Sequence, residues 1–80
     1  MLFHIGGDIW ADTDELDQET YYYFCQVRYE HTEAFAKYKL NPTNENLERM
    51  NRLANLMRNI AVGKITDVKN NPTYKELMLG

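Results

Sequence analysis

Between residues 12 and 40 the apolar positions recur with a period near 3.6. At roughly 100° per residue, Leu16, Thr20, Tyr23, Phe24, Val27, His31, Ala34, Phe35 and Tyr38 share one face. The spacing predicts a long helix over residues 12–40 whose packed side is this stripe. Asp12 reads as its cap and Glu15 as the partner in a capping box. Asp14, Glu15 and Asp17 place negative charge where a helix N-terminus favours it. A second stripe, Tyr22, Cys25, Tyr29 and Ala36, follows at steps of three, four and seven residues on nearly the opposite side. A helix apolar on two sides needs cover on both, which marks this stripe as an interface. The competing reading leaves the tyrosines on the surface with their hydroxyls in water.

Pro42 disfavours a helical conformation at Asn41 and fits the first position of a second helix, expected over residues 42–62 with Pro42 or Thr43 opening it. So short a connection folds two helices back as an antiparallel hairpin. In the second helix Leu47, Met50, Leu53, Ala54, Leu56, Met57, Ile60 and Ala61 cover about half the circumference, which suits two neighbours rather than one. Leu53, Leu56 and Ile60 are assigned, with the second stripe, to an intermolecular interface. Gly63 stands where a left-handed residue ends a helix.

Residues 1–11 read as an extended arm, with Gly6 and Gly7 permitting a sharp turn and Trp10 packing on the first turns of the long helix as a staple. No partner strand is evident, so the arm is expected to lie across the helices or pair with another copy. Asn71 followed by Pro72 reads as a cap and first position of a short helix over residues 72–79, apolar through Tyr74, Leu77, Met78 and Leu79. The expected fold is mainly α: one domain over residues 1–80, a helical hairpin with a short arm and a short C-terminal helix, completing a bundle by dimerisation.

Length strengthens that expectation, because a core built from 80 residues supplies only about 3–5 kcal/mol and association commonly makes up the difference. Hydrophobic content of 44% and charged content of 26% place the chain among globular proteins rather than disordered tails. One cysteine forbids an internal disulfide, and the apolar run at residues 1–5 is too short for a signal peptide or membrane span, so a cytoplasmic setting is expected. The net charge of −3 is unevenly spread: residues 1–35 hold eight acids and one base, residues 36–80 four acids and eight bases. Opposite ends of this kind complement each other within one chain or between two.

Glu30, Glu33, Glu45 and Glu48 form two ExxE pairs on successive helices. The arrangement resembles the ExxE and ExxD motifs of the MazG-like all-α nucleoside triphosphate pyrophosphatases, and the resemblance implies magnesium held between carboxylates around a nucleotide's phosphates. It covers these four positions and the helical setting; the fourth acid here is Glu48 where that family has Asp, and the spacer is slightly shorter. Glu45 and Glu48 fall away from the apolar arc of their helix, and their first-turn position explains them as acids that compensate the dipole. A metal site is therefore not assigned.

Other chemistry is excluded on spacing. Asp12, Asp14 and Asp17 begin like a calcium loop, but Asp17 stands where glycine is needed and Tyr23 where a bidentate Glu is needed. There is no phosphate-binding glycine loop, GxSxG or zinc spacing. Cys25 has no His or acid spaced to lower its pKa, His4 is isolated, and His31 reads as a core histidine bonded to a tyrosine. Arg49, Arg52 and Arg58 give the second half basic character that would meet phosphates in a nucleic-acid-binding regulator, yet they lie on different flanks of one helix.

The residues thus point to a small interaction or regulatory module without a catalytic centre or cofactor, a character shared by accessory proteins of phages and mobile elements. It would act as a homodimer or on a protein partner through Tyr22, Cys25, Tyr29, Ala36, Leu53, Leu56 and Ile60. Nucleic acid and membrane are not expected partners.

Overall fold

The computed structural model describes residues 2–6 and 8–80. Strands β1 (Leu2–Gly6) and β2 (Ile9–Asp12) are followed by a 3₁₀ turn (Thr13–Glu15) and two long helices, α1 (Gln18–Leu40) and α2 (Asn44–Ala61). A second 3₁₀ turn (Val68–Asn70) leads to α3 (Pro72–Tyr74), which widens into a π-helical turn (Lys75–Leu79). The fold is 72% helical, and α1 and α2 pack antiparallel as the short linker requires.

The N-terminal arm has a partner after all. β1 and β2 pair antiparallel, with Leu2 opposite Asp12, Phe3 opposite Ala11 and His4 opposite Trp10, and the register shifts between His4 and Gly6. Alternation in a strand turns Phe3 and Ala11 towards the core and His4 and Trp10 away from it. Trp10 therefore does not staple the long helix: it is 57% exposed, and its ring lies 4.7 Å from that of His4. The turn expected at Gly7, like residue 1, lies outside the described residues.

The long helix starts six residues later than its first capping signal. Asp12 is held extended opposite Leu2, and its carboxylate caps only the 3₁₀ turn, accepting from the Asp14 amide at 3.0 Å. Leu16 is again extended, and Asp17 makes the true cap, accepting from the Thr20 amide at 2.7 Å. At the other end Thr43, not Pro42, opens α2: its hydroxyl accepts from the Asn46 amide, while the Asn46 side chain donates back to the Asn41 carbonyl at 2.8 Å. Pro42 sits before this cap, where its fixed φ stiffens the turn.

The core is built from Phe24, Val27 and Ala34 of α1, then Leu53, Leu56, Met57, Ile60 and Ala61 of α2, with Val68, Tyr74 and Leu77 from the C-terminal segment. This corrects one assignment: Leu53, Leu56 and Ile60 are 0%, 2% and 0% exposed inside their own chain and are not available to an intermolecular interface. α2 does have the two neighbours its broad apolar arc demanded, but the second is the chain's own C-terminus.

Three devices return the chain there. Gly63, at φ +81°, ends α2 in the left-handed conformation, and the amides of Lys64 and Ile65 bond back to the Asn59 carbonyl. Asn71 then caps α3 by accepting from the Tyr74 amide at 3.1 Å, with Pro72 in the first turn. Finally Arg49 donates to the Leu77 carbonyl at 3.2 Å and Arg52 to the Glu76 carboxylate at 2.8 Å, pinning residues 76 and 77 along α2. Among the described residues no helix is long and apolar enough to cross a membrane.

Candidate interaction face

α1 buries one side and leaves the other bare. With Phe24, Val27 and Ala34 facing α2, the helical turn of roughly 100° per residue puts Tyr22, Gln26, Tyr29, Glu33, Ala36 and Leu40 within about 40° of one line on the outer side. All six are exposed, Tyr22 at 58%, Tyr29 at 63% and Leu40 at 89%. Of the predicted stripe, Tyr22, Tyr29 and Ala36 are on this surface, and Cys25 is half-buried at its edge. Gln26, Glu33 and Leu40 complete it. The same angular rule finds them, but Gln26 and Glu33 are polar and Leu40 stands at the last position of the helix, beyond the apolar repeat.

The exposed Tyr22 ring is held in place. Tyr22 meets Tyr23 edge-on at 5.4 Å, and Tyr23 meets the buried Tyr74 edge-on, also at 5.4 Å, so an aromatic ladder runs from the face to the core. Burial, followed by the neighbouring tyrosines, pushes the Tyr74 hydroxyl above its usual pKa. A hydrogen bond to Glu33 raises that of Tyr29, and one shared with the Cys25 thiol raises that of Tyr21.

The four glutamates do not converge. Glu30 and Glu33 border one hollow with Lys37 and Leu40, Glu45 and Glu48 border another with Arg52 and Glu76, and Arg49 stands between them, 3.5 Å from Glu30. Among the described residues no group of three His, Cys, Asp or Glu side chains is placed to hold a metal ion. A guanidinium between the pairs would repel a divalent cation.

The arginines are likewise committed elsewhere. Arg49 and Arg52 hold the C-terminal segment, and Arg58 donates to Asn55 at 3.4 Å on another part of α2. His31, half-buried on α1, has its pKa lowered by burial and then by the Arg58 charge. A further hollow, lined by Ile9, Trp10, Asp12, Glu15, Leu16 and Val62, opens between β2 and the end of α2 with carboxylates alone for charge.

No family model, curated protein or solved structure matches this chain. Any functional reading therefore rests on these residues and their geometry.

Proposed function

We propose that the chain is a small protein-interaction module that binds through the exposed tyrosine face of α1, working in the cytoplasm without a cofactor. The observation that carries this reading is the row of six exposed residues on one helix, with Tyr22 at one end, Tyr29 within it and Leu40 at the other end. Exposed tyrosines supply large contact area at low entropic cost and keep a polar tip for either solvent or partner, which is why they are enriched where proteins meet. The ladder from Tyr22 through Tyr23 to Tyr74 limits the freedom that binding would remove. The free, half-buried Cys25 suits a reducing compartment.

Photo-crosslinking side chains placed at Tyr22 and Tyr29, with Asn55 on α2 as control, test the reading in expressing cells. Adducts from positions 22 and 29 but not from 55 support it. Equal yields at all three positions, or none, would sink it.

A further inference from the structure

We propose that the occupant of the α1 face is a second copy of this chain, packed antiparallel about a twofold axis near residue 28; this rests on the interaction reading above. The argument is charge complementarity. Glu19 and Lys37 lie on the same flank of the face, each about 60° from the line through Tyr22, near opposite ends of α1. A twofold axis perpendicular to two facing helices brings each flank against its own counterpart, running the other way. Lys37 of each copy then stands opposite Glu19 of the other, and symmetry makes the pair twice.

A parallel pairing would instead set this flank against the opposite one, leaving Glu19 level with Gln18 and Lys37 level with Ala36, would bring Glu33 against Glu33, and would align the two helix dipoles. The antiparallel register also solves the packing. The two Tyr29 residues fall about 3 Å apart along the axis, beside each other at the centre, and each Tyr22 comes level with the stretch that holds the other copy's small Ala36. Alternating large and small side chains is how facing helices interdigitate. Gln26 of one copy lies at the level of Glu30 of the other. At 23 residues, α1 offers about 34 Å of this surface. The intramolecular Glu19–Lys69 contact is long, 3.9 Å, and exposed, so exchanging it for Lys37 costs little.

Two sets of variants of the full chain test the arrangement. In a Cys25→Ser background, Tyr29→Cys should oxidise readily to a disulfide-linked dimer. Ala36→Cys should not, because antiparallel copies hold the two positions about 24 Å apart along the axis while parallel copies would join them. In sedimentation equilibrium, Glu19→Lys and Lys37→Glu should each weaken the dimer roughly tenfold, and the double reversal should restore it. A disulfide from Ala36→Cys as fast as from Tyr29→Cys, a double reversal no better than the single ones, or a monomer at every concentration would overturn the proposal. A monomer whose Tyr22 and Tyr29 photo-adducts run to a heavier protein would overturn self-pairing and leave the interaction module standing. Absence of adducts at both positions would remove both.

Discussion

The ring of Phe3 stands edge-on to that of Phe24, with centroids 5.3 Å apart and planes at 83°, so the β-hairpin is fastened to the helical core by an aromatic contact. Phe24 is fully buried and Phe3 is half-buried above it. Phe3→Ala should cost about 2 kcal/mol, below the roughly 3–5 kcal/mol of a fully buried phenylalanine. Leu2→Ala, one residue away on the outer side of the strand, should cost no more than about 0.5 kcal/mol. Urea unfolding followed by circular dichroism measures both, and equal costs would mean the hairpin is not seated on Phe24.

The C-terminal return depends on backbone conformation rather than on space. A side chain at Gly63 would meet nothing within 4 Å, yet its φ of +81° strains any L residue. Gly63→Ala should therefore cost about 1 kcal/mol, and Gly63→Asn less, since Asn tolerates that conformation. Asn71→Ala, which removes the cap of α3, should also cost about 1 kcal/mol. The two losses should add, because the sites share no partner.

The helical hairpin and these two stops were legible because each is local: a 3.6 period, a proline between two helices, a glycine after one, an Asn-Pro pair before another. The β-hairpin was not, because β1 and β2 are too short to show a strand period and Asp12 and Glu15 imitate a helix cap well. Only the pairing of Leu2 with Asp12 shows that the first cap belongs to a turn and the second, Asp17, to the helix. Leu53, Leu56 and Ile60 were misassigned for a related reason. The wheel of α2 reported an arc wide enough for two neighbours, but nothing local to α2 could say that Tyr74 and Leu77 supply the second.

Acid should destabilise the fold in two stages. His31 is lowered below 6.5 in the folded state by burial and by Arg58, so the unfolded chain takes up that proton first. Stability is full above about pH 6.5 and declines as pH falls from there towards the folded value. Glu76 is lowered by its hydrogen bond from Arg52, and Asp17 by the Thr20 amide. Their contributions are present above about pH 4.5 and 3.8 and are lost as pH falls through the folded values. Urea midpoints between pH 3 and 8 should show both limbs, and His31→Gln should flatten the upper one while leaving the lower.

Magnesium should leave the melting temperature unchanged. Glu30 already faces Arg49, and the two glutamate pairs border different hollows. A rise of several degrees in millimolar magnesium, abolished by Glu33→Gln and by Glu48→Gln, would show that the four carboxylates do meet around a cation.

The most direct test of the α1 face is absolute mass in solution, by light scattering after size exclusion over a wide concentration range, for the wild type and Tyr29→Asp. The wild type should elute at twice the 9.5 kDa of one chain, and the substitution should return it to a single chain with its helical content intact. A 9.5 kDa species at every concentration, or a dimer that Tyr29→Asp leaves whole, would contradict self-association through this face.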